Sequence, residues 1–450
     1  MNMPKALLIH ATDKSLLVAE QPPIPFPVLG LITVATLFPR GWDVAVIDES
    51  MEVVDLEASA DLVGISTLTL DAYHAYGLAD HFRARGIPVL MGGMHPSAMP
   101  VEALKHADAV VVGEAENVLD RVLSDFKDGR MRGAYKNENL PDLAEVPRPR
   151  FDLLHPRHRY FLHSVQATRG CPRECEFCSV TPFFGHQYRL RPVKEVIADL
   201  HASFEEARSR TVFFVDDNIA GQADYARELF EALIPLKIKW GSFASVMMTR
   251  DRKLMELAAK SGCIELFIGF ESLSQNNLDR SNKSWVRADR MQEYIKIFHG
   301  YGIIVEGAFI FGHDEDRKDV FRRTVDFVQK NGIQVPVFGI LTPYPATRLR
   351  ARLNAEGRLL PEAEDWRFYD GSHVLFKPAY MTPEELEEGF LWAKKFCCAP
   401  RSIFSRMFRA PRANWLTAVG LNFSMRSGRM QQIKDRWPRS KGPLAKPGTW

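Results

Sequence analysis

Cys171, Cys175 and Cys178 fall in the stretch TRGCPRECEFCSVTPFF, spaced CxxxCxxC, with Phe177 directly before the third cysteine. They are three of the six cysteines in the chain. Thiolates are soft ligands suited to zinc or iron–sulfur centres. A closed structural site presents four ligands, whereas this run supplies three and no fourth stands close by. Three cysteines hold three irons of a [4Fe–4S] cube and leave the fourth iron open to a substrate or cofactor. The run thus reads as a reactive centre. The alternative is a zinc knuckle completed by a distant ligand such as His186, although zinc sites usually pair their ligands as CxxC twice or as CxxC with HxxxH.

The spacing, with an aromatic residue before the last cysteine, resembles the signature of the radical S-adenosylmethionine enzymes. The resemblance implies that the open iron chelates the amino and carboxylate groups of S-adenosylmethionine. One electron from the cluster then cleaves the sulfonium, and the resulting 5′-deoxyadenosyl radical abstracts hydrogen from a substrate. It also implies an electron donor such as flavodoxin or ferredoxin.

The elements that position the cysteines read as α/β. From residue 160 to 345, six strand-like runs alternate with helical patterns: FLHSVQATRG, TVFFVDDN, IKWGSFASV, CIELFIGFES, IIVEGAFIFG and IQVPVFGILTPYP. Six units are too few for a closed eight-unit barrel and suit a partial (β/α)6 barrel. In parallel barrels chemistry sits at the carboxyl ends of the strands, and the cysteine loop follows the first of them. The other strand ends supply candidate S-adenosylmethionine contacts, following the family pattern. Asp216 and Asp217 suit the methionine ammonium, or face the substrate instead. Ser245 and Glu271 suit ribose hydroxyls. Arg250 suits the methionine carboxylate. Phe177, with Gly307 and Gly312 of the fifth strand, suits adenine, and Gly269 precedes Glu271 at the fourth strand end. The bland readings are helix caps for the acids, a turn for His313, and core packing for Cys263, Cys397 and Cys398.

Residues 1–135 form a second alternating series, with strands KALLIHA, WDVAVIDES, DLVGISTLT, IPVLMGG and ADAVVVGE. Near-continuous apolar strands indicate a doubly wound parallel sheet. Ligands bind such sheets outside the carboxyl ends of the strands, here Ser66, Thr67, Thr69, Gly92, Gly93, Gly113 and Glu114. The features FPVLGLITVATL, VIDE, GISTLTLDA, GGMHPSAMP and DAVVVGEAE resemble the cobalamin-binding domain that precedes many radical S-adenosylmethionine cores. One departure is the missing cobalt-ligating DxHxxG motif: no histidine follows WDVAVIDES. Cobalamin, if held, has no histidine of that motif beneath it. The alternative is a flavodoxin-like scaffold without a ligand.

Residues 136–159 read as a Pro-rich linker. Residues 346–450 read as a mainly helical region with a basic tail. In it, DWRFYDGSHVLFKP offers Trp366, Tyr369, His373 and Phe376 to a pocket or to packing. Residues 401–450 contain eleven Lys and Arg against Asp435 alone, about +10, which leaves about −8 for the remainder of a chain whose net charge is +2. Apolar residues beside Arg in NWLTAVGLNFSMRSGRM suggest peripheral contact with an anionic membrane. With no nucleic-acid module legible, no nucleic-acid partner is expected. The opening residues carry no signal-like h-region, and no run reaches the roughly 20 apolar residues that span a bilayer. The cysteines form no disulfide framework. The expected location is cytoplasmic, with membrane-peripheral contact through the tail.

The order of parts resembles cobalamin-dependent radical S-adenosylmethionine enzymes, among them methylases of hopanoids and methylases or cyclases of bacteriochlorophyll synthesis. The resemblance implies a [4Fe–4S] cluster, S-adenosylmethionine and cobalamin as cofactors. It implies C-methylation of a lipid-like or tetrapyrrole small molecule at an unactivated carbon. The alternatives are rearrangement, cyclisation or oxidation without methyl transfer, and a non-catalytic zinc or cobalamin sensor.

Overall fold

A computed structural model describes residues 3–16, 27–160, 162–206, 208–410 and 413–436. Two six-stranded parallel sheets organise the chain. The first contains β1 (Lys5–His10), β2 (Asp43–Asp48), β3 (Leu62–Ser66), β4 (Val89–Gly92), β5 (Ala109–Val112) and β6 (Gly133–Lys136), in the order β2-β1-β3-β4-β5-β6. The order in which strands are added reverses between β1 and β3, which makes the carboxyl edge there the natural ligand crevice. β3, LVGIS, is apolar throughout because both faces are covered. Helices Leu29–Thr36 and Leu119–Lys127 pack on one face, and helix Ala72–Ala84 packs on the other. The sixth strand, GAYK, is not among the five legible apolar runs. It is an edge strand with two exposed residues, so it lacks their hydrophobic signal.

The chain enters the second sheet at β7 (Leu162–Val165). A two-residue antiparallel ladder follows, β8 (Thr168–Arg169) with β9 (Arg189–Leu190). Then come β10 (Thr211–Phe214), β11 (Lys239–Ala244), β12 (Cys263–Glu271), β13 (Ile304–Phe311) and β14 (Val335–Ile340). They lie in simple sequential order beside β7, as an open partial barrel. In its core Phe214 meets Trp240 edge-on, and Phe230 packs against the same indole at a tilt. Cys263, Cys397 and Cys398 are buried and unpaired.

The segment between the sheets is packed rather than a free tether. Leu143, Val146, Phe151 and Leu154 are buried, and His158 meets Asp48 of β2 at 3.2 Å. The C-terminal region is helical. Helix Pro383–Cys398 starts on a capping box, with the Thr382 hydroxyl accepting from Glu385 N and the Glu385 carboxylate accepting from Thr382 N. Its Gly389 lies where a Cβ would meet the Phe321 ring at 2.1 Å, so glycine sets the close approach of this helix to the barrel helix Val320–Asn331. Trp366, Tyr369 and Phe376 are buried. Trp366 packs against His95 of the first sheet's layer at 5.1 Å and donates to Glu102 at 2.7 Å. The third region therefore clasps both sheets. Among the described residues, no helix is long and apolar enough to cross a membrane. Arg412 and the basic residues after Arg436 lie outside the described residues.

His95 yields a pH dependence. Its Nε2 pairs with the Tyr76 hydroxyl at 2.9 Å, and burial pushes it down to about 4 against the opposing pull of Glu102. A histidine depressed below its unfolded value of about 6.5 stabilises fully above that pH and loses the contribution as pH falls towards 4. Urea unfolding should lose on the order of 2 kcal/mol between pH 6.5 and pH 4 through this ring. His95→Gln should flatten that slope. The flattening is partial, because burial holds His313 down to about 4 as well.

Candidate functional site

The cysteine loop runs from β8 to β9 at the carboxyl rim of the partial barrel. Gly170 opens it in a left-handed conformation, φ +82°, where a Cβ would sit 2.5 Å from the Gln187 carbonyl. Three further contacts brace it. Glu176 N donates to the Ser281 carbonyl at 3.1 Å, Asn282 Nδ2 donates to the Glu174 carbonyl at 3.0 Å, and Arg352 clamps the Glu176 carboxylate at 2.9 Å. The three thiols are half-buried and free. Burial pushes all three up, Cys178 to about 12, so ligand binding must release protons. Among the described residues, no three Cys, His, Asp or Glu side chains gather tightly enough for a single metal ion. His186 pairs with Glu174 at 2.9 Å rather than with a thiol. An all-thiolate donor set of three on a glycine-hinged loop fits a larger iron–sulfur unit better than a zinc knuckle.

Around this loop the strand ends separate into facing and structural residues. At the end of β12 the register shifts between Gly269 and Glu271, and Glu271 adopts φ +61°. A non-glycine residue there is strained, a cost usually found at functional positions. The bulge turns the Glu271 carboxylate onto Lys283, with Oε1 to Nζ at 2.5 Å, both side chains buried. Gly269 is needed for that turn, because a Cβ would meet Glu271 Oε1 at 2.2 Å and Lys283 Nζ at 2.9 Å. Burial alone would push the Lys283 ammonium down, but Glu271, Cys175 and Cys178 together raise it. Lys283, absent from the sequence reading, is thus the buried cation beside the cysteines. Arg250 ends a short turn at an exposed position instead.

Asp216 is fully buried and engaged, accepting from Ala167 N at 3.2 Å and from the Thr168 hydroxyl at 2.5 Å. It anchors the start of the loop and has no oxygen turned to the rim. Burial pushes it up to about 7 and Asp217 up to about 6. Asp217 accepts from Gly170 N at 3.3 Å while remaining half-buried at the rim. Next to it, Asn218 Oδ1 is buried without a partner, an orphaned acceptor suited to an ammonium. Ser245 caps the turn Val246–Arg250 by accepting from Met247 N at 3.1 Å. The fifth-strand glycines depart from the expected adenine slot. The space over Gly307 is filled by Ile333 and Phe270, and that over Gly312 by Leu386 and Phe376, so packing accounts for both. Phe177 instead meets His313 edge-on at 6.5 Å, and His313 is buried with an orphaned Nε2.

Two cavities, each of about 520 Å³, adjoin the rim. One covers the carboxyl edge of the first sheet at Ser66, Gly92, Gly93, Gly113 and Glu114. It runs inward between the sheet and its helices past Leu8, Gly64, Leu31, Phe38 and Leu119. Gly93, at φ +93°, leaves room for the Ser66 hydroxyl and the Thr67 backbone. This edge is flat, glycine-lined and apolar in depth, which fits a large planar macrocycle with an appended arm. No imidazole or thiol is among the residues that line it. Thr67 is buried outside the cavity, with its amide bonded to the Gly92 carbonyl. The Glu114 carboxylate, expected to bind a cofactor, is engaged by Arg169 and Arg189, each at 2.6 Å.

The second cavity lies between that edge and the cysteine loop. Thr69, Leu70 and Asp71 line it from the first sheet, Ser179 and Pro182 from the loop, and Tyr344 and Tyr369 from beyond β14. Leu68, Met94 and Phe183 line both cavities and form the wall between them.

The sequence model of the radical SAM superfamily matches residues 165–328, and that of the B12 binding domain matches residues 17–123. The chain is 33% identical over 429 residues to bacteriochlorophyllide d C-12(1)-methyltransferase of Chlorobaculum tepidum, covering 94% of this chain and 92% of the relative. It is 30% identical over 374 residues to bacteriochlorophyllide d C-8(2)-methyltransferase of the same organism, covering 80% and 82%. The fold is shared with the radical S-adenosylmethionine methyltransferase TsrM from Kitasatospora setae, solved with cobalamin and a [4Fe–4S] cluster. The TM-score is 0.72 at 15% identity, over 96% of this chain and 100% of that one.

Two outcomes follow from the site. Lys283→Met leaves the Glu271 carboxylate buried without its cation, at a cost of about 3 kcal/mol, read as a lower urea midpoint. Loaded with cob(II)alamin, the protein should give an electron paramagnetic resonance spectrum that nitrogen-15 labelling of its histidines leaves unchanged, because no imidazole among the described residues lines the first cavity.

Proposed function

The chain belongs to the radical SAM superfamily, in the branch that carries a B12-binding domain, and from that premise we propose that it is a C-methyltransferase acting on a tetrapyrrole. Its cofactors are a [4Fe–4S] cluster, S-adenosylmethionine and cobalamin. One observation carries the reading: the second cavity has the cysteine loop on one side and the carboxyl edge of the first sheet on the other. Methyl transfer to an unactivated carbon needs hydrogen abstraction and methyl donation at the same atom, and a substrate held there would face both sources. The tetrapyrrole class is supported by the two relatives, whose names give bacteriochlorophyllide d as their substrate.

When bound, the cofactors supply hydrogen-atom abstraction and a transferable methyl group. The chain supplies the chamber. Cys171, Cys175 and Cys178 would hold the cluster. Asp217, Asn218 and Glu271 at the rim would orient S-adenosylmethionine through its ammonium and ribose, and Ser66, Gly92, Gly93 and Gly113 would carry the macrocycle of cobalamin. Leu68, Leu70, Phe183, Tyr344 and Tyr369 line the second cavity and would shield the reacting carbon from water. Asp71 lines the same cavity, with burial raising its carboxyl and Oδ1 accepting from Asp13 N at 2.9 Å. An electron from flavodoxin or ferredoxin would start each cycle. A sparingly soluble acceptor also suits an enzyme at a membrane surface.

The test is anaerobic reconstitution of the full chain, followed by reaction with methyl-deuterated S-adenosylmethionine, a reductant and a bacteriochlorophyllide. The expected products are 5′-deoxyadenosine and a chlorin carrying the deuterated methyl. Cys175→Ala should abolish both. A chlorin that returns cyclised or oxidised without the label, or a label that enters only a hopanoid-type lipid, would overturn the proposal.

A further inference from the structure

Helix Pro400–Arg409 and helix Trp415–Arg436 pack as a pair on the outer side of the partial barrel, next to helix Pro383–Cys398. Their inward faces are well filled. Ile403 and Met407 of the first, with Ala418 and Met425 of the second, join Ile304 and Val335 in one buried cluster. Arg406 is fully buried and ties the pair together by donating to the Cys397 carbonyl, the Ser402 hydroxyl and Asn422 Oδ1.

The outward face is unusual. Phe404, Phe408, Leu416 and Phe423 are 41%, 84%, 79% and 40% exposed. They include three of the four exposed phenylalanines among the described residues. Helical spacing puts Arg401, Phe404 and Phe408 on one stripe. The Phe404 and Phe423 rings meet at 6.2 Å, which merges the two helices' stripes into a single apolar patch. Basic residues flank it along both helices. Arg401, Arg409 and Arg426 have no carboxylate partner among the described residues. Arg409 and Arg426 donate only to the backbone carbonyls of Gln329 and Cys398. From residue 401 onward the chain carries eleven basic residues and one acid.

We propose that this helix pair is a docking surface for an anionic lipid bilayer, into whose interface Phe408 and Leu416 insert. Charge decides the occupant. A second copy of the chain would bring an equally cationic patch against this one and be repelled. A bilayer of anionic lipids supplies counter-charge to the arginines and an apolar layer to the side chains between them. Nucleic acid would supply the charge but no layer for an inserted leucine. The surface lies outside both cavities, so docking leaves the reaction chamber free and does not depend on which acceptor is methylated.

The experiment is cosedimentation of the full chain with vesicles of phosphatidylglycerol and phosphatidylcholine, against vesicles of phosphatidylcholine alone. The protein should bind the anionic vesicles, release partly at high salt, and stay in solution with the neutral ones. The double variant Phe408→Ser, Leu416→Ser should bind at least about tenfold more weakly. It should keep the urea midpoint and the 5′-deoxyadenosine formation of the parent chain, which separates a docking defect from a folding or catalytic one. Arg401→Gln with Arg409→Gln should remove the preference for anionic vesicles. Failure of the parent chain to bind anionic vesicles would overturn the proposal. So would equal binding by the serine variant, a patch-dependent shift from dimer to monomer in size-exclusion chromatography, or patch-dependent binding of RNA in place of vesicles.

Discussion

One carboxylate joins the two halves of the chain. Glu114 sits at the end of β5 and takes a hydrogen bond from Arg169 on β8 and from Arg189 on β9, while Arg169 also reaches Glu116. The four side chains form a neutral, largely buried quartet. Removing four charges from water is expensive, and their mutual attraction offsets it only because the guanidinium forks have several oxygens to meet. Deleting one member would strand the rest, so the quartet holds the two sheets in one relative placement. β8 and β9 are the two ends of the cysteine loop. The same contact therefore fixes the first sheet's ligand edge against the three thiols, and the cavity between them inherits its width from it.

The rim above follows a similar logic on a smaller scale. A register shift in β12 and a left-handed backbone at Glu271 aim one carboxylate at one ammonium, and Gly269 clears the space between them. Asp216 holds the loop entrance through Ala167 and Thr168, so it shapes the site from behind. The polar groups gathered beside the cysteine loop are Asp217, Lys283 with Glu271, and His313 against Phe177, with the orphaned Asn218 oxygen next to Asp217.

The strands of both sheets were legible because parallel strands covered on both faces leave unbroken apolar runs, and only the half-exposed β6 escaped notice. The cysteines were legible because their chemistry depends on local spacing. What stayed hidden depends on long-range contact. Glu114 stands at a strand end and so resembles a ligand residue, but its partners are 55 and 75 positions away. Lys283 lies in an ordinary loop, and only a bulge in another strand gives it a role. Gly307 and Gly312 carry the family's look, yet Ile333 and Leu386 decide what touches them. Arg250, expected at the methionine carboxylate, ends a turn at an exposed position. His313, read as a turn residue, does open a turn, its carbonyl accepting from Asp316 N at 3.0 Å, and its ring is also buried against the aromatic of the cysteine motif.

The backbone at Glu271 restricts what can replace it. Glycine or asparagine would relax its left-handed conformation, but either would abandon the ammonium of Lys283. Glutamine would keep the shape and the strain while erasing the charge. Aspartate tolerates the bend and keeps a charge, but its carboxylate is one methylene short of the ammonium, so ease in the bend and reach to Lys283 are exchanged for one another at this position.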